Sequence, residues 1–370
     1  MTMTFSVQSG VGVARGRRDA ILAAPGFGQA FSDHMVTMKW TAELGWHDGA
    51  LTPHVPLSLA PGSTVFHNGQ GVFEGFKAYR QADGGVAMFR PDANAARFAR
   101  SAQRLALPAL PTEDFLAAAD LLVRTDVAWL PDGEEMSLYL RPFMFGTTVG
   151  LTVRPATDVT FVLIASPVGA YFASGPKPLS MWVSEKFSRA APGGTGAAKF
   201  SGNYAGSLVS VQEAFDHGCD QVVFLDVLEH RWVEELGGMN LFFVFDDGTL
   251  VTPELTGTIL EGVTRDSLLT LAAAHGYEAV ERRISIDEWR DGIRDSRITE
   301  VFACGTAAVI TPIRQLKWAG GTVSTPTEGI GPCAARLRSA LLDIQYGRAG
   351  DQHGWMRRVV TNDRSPSAQG

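Results

Sequence analysis

The sequence predicts an α/β (α+β) protein of two domains, and three observations carry that prediction. The chain has 370 residues, against about 100–200 for a usual domain. Pro167, Gly169, Gly175, Pro176 and Pro178 crowd into residues 167–178, the punctuation of an interdomain connector. Strand-type and helix-type periodicities are mixed on both sides of it. The expected division is a smaller domain over residues 1–166, the connector over 167–178, a larger strand-rich domain over 179–358 and a loose polar tail over 359–370.

Before the connector, residues 94–107 carry a helical pattern. Phe98, Ala102 and Leu105 share one side, Arg97, Arg100 and Arg104 lie on others, and Pro108 stops it. Residues 137–142 and 159–165 are rich in β-formers and read as strands. After the connector, a strand over 179–183 leads into a glycine-rich loop over 192–202. Asn203 is placed to cap a helix in which Tyr204, Leu208, Val211 and Phe215 recur, with Gly218 as its stop. Strands are expected over 221–226, 231–236, 240–245 and 249–252, the last pair joined through Asp247-Gly248. Thr264 reads as the cap of a further helix with Leu268, Leu271 and Ala272 inside and Gly276 at its end.

Composition removes several functional classes. The net charge is −7 and unblocked along the chain, which gives no electrostatic case for nucleic acid or an anionic membrane. No apolar run reaches the ~18–20 residues of a membrane span, and Arg15, Arg17 and Arg18 lack the apolar core of a secretory signal. Cys219, Cys304 and Cys333 are far apart and form no C-x-x-C pair, so a reducing, cytoplasmic setting is expected and a metal site is not. The motifs of P-loop enzymes, dinucleotide binders, zinc proteases and serine hydrolases are absent.

Four strings could carry chemistry. Lys199, one of six lysines, lies among small residues in GGTGAAKFSGNYAGS, where a planar partner can approach its amine. Glu234-Glu235 ends an apolar strand before Gly237-Gly238-Met239-Asn240; a carboxylate there could hold a proton on a heterocyclic nitrogen. Gly262-Val263-Thr264 opens a helix, whose free amides and dipole favour phosphate. Gly305-Thr306-Ala307 follows a strand as a turn able to hold an anion. Each alone has a plainer reading: a surface lysine, hairpin acids, an ordinary helix start and an ordinary turn.

In this order and spacing the strings resemble the class IV (fold type IV) pyridoxal-phosphate aminotransferases, and within them the branched-chain amino-acid aminotransferases. Supporting text includes FSDHM (31–35), VFEGFKAYR (72–80), SLYLRP (137–142), PVGAYF (167–172) and EVFACGTAAVITP (300–312). The resemblance implies a smaller N-terminal domain and a larger pseudo-barrel domain that binds pyridoxal 5'-phosphate. It implies that Lys199 carries the cofactor and shuttles a proton, that Tyr204 meets the phenolic oxygen, and that Glu235 meets the pyridine nitrogen. Arg97, Val263, Thr264 and Thr306 would hold the phosphate, with Gly238, Met239 and Asn240 beside the cofactor. Thr306 and Ala307 would receive the substrate carboxylate, Phe31, Phe73, Tyr139 and Tyr171 an apolar side chain, and Arg141 the distal carboxylate of glutamate.

Leu151 and Val153 match a loop that family members lend to a partner subunit, which implies a homodimer with shared sites. The partners implied are L-leucine, L-isoleucine, L-valine, glutamate and their 2-oxo acids. Four positions depart from the pattern. Asn68 stands where the family often has tyrosine. Ala308 and Thr311 replace a redox C-x-x-C of mammalian members, and Gly238 replaces a threonine of some members. Other fold type IV specificities, for D-amino acids, (R)-amines or aminodeoxychorismate, share the core pattern, and a cofactor-binding protein without turnover is a further alternative.

Overall fold

The computed structural model describes residues 2–8, 10–169 and 177–361. The chain forms two compact units, 1–170 with 342–370, and 171–341. This corrects two expectations. The segment from Leu342 onward joins the first unit, which is thereby the longer of the two, and the strand Met356–Val360 pairs with Val86–Phe89 there. Gly169 is the last described residue before the middle of the proposed connector; residues 170–176, Tyr171 among them, lie outside the described residues.

The first unit is built on a nine-stranded sheet. Its centre is the antiparallel pair Ser137–Gly146 and Asp158–Val168, with Tyr139 opposite Ser166 and Arg141 opposite Ile164. Both strands outrun the predicted spans. Successive side chains of a strand point to opposite faces. Leu138, Leu140 and Met144 therefore enter the core, where Phe98 and Phe115 from the helices Pro91–Arg104 and Thr112–Thr125 pack beside Phe161. Tyr139, Arg141 and Phe143 are left on the other face. The helix predicted over 94–107 begins three residues earlier because Pro91 suits a first turn, where its missing N–H costs nothing.

The second unit holds another nine-stranded sheet. Its order runs Val233–Leu236, Gln221–Leu225, Leu179–Val183, Val309–Trp318, Ile298–Gly305, Asn240–Phe245, Thr249–Thr252, Glu278–Glu281. The first strand of that order and the sixth are consecutive in the chain and joined by a tight turn, with the Leu236 amide donating to the Met239 carbonyl. A sheet whose first strand must also reach its sixth is curled, as a pseudo-barrel requires. Its core gathers Val223, Leu241, Phe243 and Val301, with Trp289 from the helix Ile286–Arg294 edge-on to Phe243 at 4.9 Å.

The helix Ser201–Asp216 departs from the sequence expectation. Its N-cap is Phe200, and its buried face is Asn203, Ser207, Ser210 and Ala214. Leu208 and Phe215, members of the apolar series, are exposed. The small side chains let this helix lie close against the strands beside it, and hydrophobic spacing alone misplaces its face by one residue. The next helix, Val263–Ala274, does bury Leu268, Leu271 and Ala272, but Gly262 rather than Thr264 is its cap.

Candidate active site

Lys199 sits half-buried at the end of the glycine-rich loop, two residues before the helix Ser201–Asp216. Its Nζ donates to the Tyr204 hydroxyl at 3.0 Å. The loop is fixed from behind. Asn203 Nδ2 donates to the carbonyls of Thr195 (2.8 Å) and Ala198 (3.0 Å), and its Oδ1 accepts from the Thr195 hydroxyl at 2.6 Å. Asn203 is thus no helix cap but a clamp that holds the lysine's own loop. Gly196 completes the fit, since a Cβ there would overlap the Thr258 carbonyl oxygen.

Glu235 is 2% exposed. Its Oε1 accepts from Arg189 Nη1 at 2.8 Å and from the Leu260 amide at 2.7 Å. Burial pushes its carboxyl up to about 7, against the pull of Arg189, the Leu260 amide and Lys199. Arg189 in turn donates to the carbonyls of Thr258 (2.9 Å) and Gly196 (3.2 Å). It is a member of the candidate site that the sequence does not announce: one arginine among twenty-six, 46 positions from its carboxylate, carries no local signal.

The remaining strings of this unit meet the same place. Gly238 faces Tyr204, with ordinary room (3.7 Å to Cε1) for a Cβ. Asn240 pairs in register with Cys304, so Gly305 and Thr306 lie at the end of the neighbouring strand, and Gly305 borders Met239. Asn240 Nδ2 donates to the Leu260 carbonyl at 3.0 Å. The helix start Val263-Thr264 follows directly, with no side-chain cap on its first amides, which therefore have no partner within the helix. The turn Thr306-Ala307-Ala308 ends on Val309 at φ 59°, a strained setting for a β-branched residue and the kind that persists at working sites.

Gly262 explains why this arrangement tolerates no larger residue at the helix start. A Cβ there would overlap Asn240 Oδ1. Gly262→Ala is expected to displace Asn240 from the Leu260 carbonyl and to destabilise the protein by ~1–3 kcal/mol, the cost of an unmade buried hydrogen bond. Denaturant unfolding of the variant checks this.

In the first unit, Arg141 Nη2 donates to the Tyr139 hydroxyl at 3.1 Å and the guanidinium lies over the Phe73 ring at 4.9 Å. Arg141 Nε is buried with no partner among the described residues. Phe27 meets Tyr139 edge-on at 5.2 Å, and Gly75 is required because a Cβ there would overlap the Tyr139 hydroxyl. Phe31 stacks on His54 at 5.1 Å. Arg97 makes a two-pronged bond to Glu74, 2.6 Å from Nε and 2.8 Å from Nη2, both side chains buried. No sequence signal points to Glu74. Leu151 and Val153 are 74% and 87% exposed. Among the described residues no cluster of metal-ligating side chains occurs, and no helix is long and apolar enough to cross a membrane.

A lysine on a tyrosine, a buried carboxylate and an uncapped helix start thus gather in the second unit. Residues 71–316 match the family described as Amino-transferase class IV, and the chain belongs to that family. Among its relatives, a probable branched-chain-amino-acid aminotransferase of Streptomyces coelicolor is 58% identical over 93% of this chain and 95% of its own length. The branched-chain-amino-acid aminotransferase of Mycobacterium tuberculosis is 50% identical over 97% of this chain and 99% of its own. Among solved structures, the Escherichia coli branched-chain amino acid aminotransferase superposes with a TM-score of 0.75 at 30% identity, over 88% of this chain and 99% of that one. The branched-chain aminotransferase of Thermobaculum terrenum, solved in its PLP-form, does so at 0.66 and 25% identity, over 87% and 98%.

Proposed function

We propose that this protein transaminates L-leucine, L-isoleucine and L-valine with 2-oxoglutarate, using pyridoxal 5'-phosphate carried on Lys199. The observation that carries the reading is the Lys199–Tyr204 contact beside buried Glu235, in a chain 58% identical to a probable branched-chain aminotransferase. The donor set fits that cofactor: an amine for its aldehyde, a hydroxyl for its phenolic oxygen, a buried acid for its ring nitrogen and uncapped helix amides for its phosphate. When bound, the cofactor supplies an electron sink for the negative charge that develops at the substrate Cα.

The chain's own residues do the rest. Lys199 Nζ takes the proton from Cα and returns it on the cofactor side, with Tyr204 orienting the amine. Glu235, braced by Arg189, keeps a proton on the ring nitrogen. Val263, Thr264 and Thr306 bind phosphate, and Thr306 and Ala307 offer amides to the substrate carboxylate. From the first unit we assign Arg97 to the phosphate and Phe31, Phe73 and Tyr139 to the apolar side chain. Tyr171 keeps the same assignment from the resemblance alone. Arg141, held by the Tyr139 hydroxyl and the Phe73 ring, is assigned to the distal carboxylate of glutamate from the resemblance.

The exposed Leu151 and Val153 suit a homodimer in which each copy lends this loop to the other. Three buried, unpaired cysteines suit a reducing compartment such as the cytoplasm.

Steady-state rates with L-leucine and 2-oxoglutarate should give the parallel-line pattern of a ping-pong reaction, since one lysine serves both half-reactions. Rates clearly higher with D-alanine would move the protein to another specificity of the same family. Arg141→Leu is expected to lower kcat/KM for glutamate by ~10–100-fold, the worth of a charge-assisted hydrogen bond. It should leave the L-leucine half-reaction largely intact; separate half-reaction rates check the split.

A further inference from the structure

Glu234 and Glu235 are neighbours on one strand, so their side chains leave it on opposite faces. Glu235 serves the site above. Glu234 lines a cleft whose walls include Leu228, Trp232, Pro253 and Ile259. None of the described residues assigned to cofactor or substrate lines it. Its water-accessible volume is about 80 Å³, against roughly 10–15 Å³ for a single water, so it admits a molecule of several heavy atoms.

The chemistry of the cleft is one-sided. Asp226, Glu229, Glu234 and Glu254 line it against one arginine, Arg283. Three of these acids already have donors. Asp226 accepts from four backbone amides, Glu229 from Trp232 Nε1 at 3.1 Å, and Glu254 from Arg283 Nε at 3.0 Å. Glu234 differs. It is 6% exposed, and its Oε1 is held by the Thr258 hydroxyl at 2.5 Å. Its Oε2 is buried with no partner among the described residues. A buried carboxyl oxygen without a partner is costly, and a cation that donates a hydrogen bond and carries an apolar body relieves it and suits these walls.

We propose that this cleft binds a small primary ammonium ion carrying a short apolar chain, with the ammonium on the Glu234 carboxyl group and the chain against Leu228, Trp232 and Ile259. The cleft adjoins the catalytic network, because Thr258 holds Glu234 through its hydroxyl and Arg189 through its carbonyl. Binding there goes beyond the transaminase reading and does not depend on which amino acid the enzyme uses.

The test is calorimetric titration of the cofactor-loaded protein, in its pyridoxamine form so that no aldehyde can trap the amine, with isobutylammonium chloride. One saturable site is expected, weakened at least tenfold in Glu234→Gln and retained in Lys199→Ala. Leu228→Arg, at a position 77% exposed and so safe for folding, should weaken it as well by placing a competing cation at the mouth. Isobutanol, the neutral counterpart, should not compete. Absence of saturable binding, equal binding by both cleft variants, loss of binding in Lys199→Ala or equal competition by isobutanol overturns the proposal.

Discussion

Lys199→Ala is expected to lower kcat/KM for L-leucine by ~10⁴-fold or more, because in the proposed reaction Lys199 is both the group that anchors the cofactor and the base that moves the Cα proton. The fold should survive. The loop is held by Asn203, through the Thr195 and Ala198 carbonyls, and by the close fit of Gly196 under Thr258, none of which involves the lysine side chain. Half-reaction rates with L-leucine measure the loss, and equal thermal midpoints of the cofactor-free variant and parent show that it is chemical. Tyr204 keeps its place on the helix in the variant, so residual activity would have to come from free amine or water.

Glu235→Gln carries the second large effect, a fall of about 10²–10³-fold in kcat/KM, the usual worth of one preorganised electrostatic partner at the reacting centre. The glutamine can still accept from the Leu260 amide and Arg189, but it cannot keep a proton on a ring nitrogen. The same residue sets a pH dependence of stability in the cofactor-free protein. Between pH 4.5 and about 7 the native carboxyl holds its proton where the unfolded chain has released it. The native state then binds more protons, so stability falls as pH rises through that window. The contribution is on the order of 3 kcal/mol, complete below pH 4.5 and lost above about pH 7. Thermal unfolding of the cofactor-free protein from pH 4.5 to 8 should show this decline, and Glu235→Gln should flatten it.

The strings that come together in the second unit are legible in the sequence because their signals are short-range. Lys199 and Tyr204 are five residues apart, the Glu235 hairpin and the start at Gly262 are single turns, and Thr306 follows one strand. What stays hidden is what distant segments decide. Arg189 becomes a site residue only when the sheet curls and carries Val233–Leu236 past the glycine-rich loop. The outward apolar residues Leu208 and Phe215 read as a helix's own series, since nothing local announces that Ser207, Ser210 and Ala214 face the strands. The return of the chain after Leu342 rests on the pairing of Met356–Val360 with Val86–Phe89, a contact across some 270 positions that no periodicity encodes. Arg97 is legible on its helix, but its partner Glu74 is not, because two charges so far apart show their bond only once strand and helix pack.

The central claim, an amine-carried cofactor that reacts with a branched-chain L-amino acid, is tested most directly by the visible spectrum of the purified protein. A yellow absorption band that bleaches when L-leucine is added, and not when D-alanine is added, is the expected result, with no such band in Lys199→Ala. A protein without the band, or one bleached by D-alanine and indifferent to L-leucine, would contradict it.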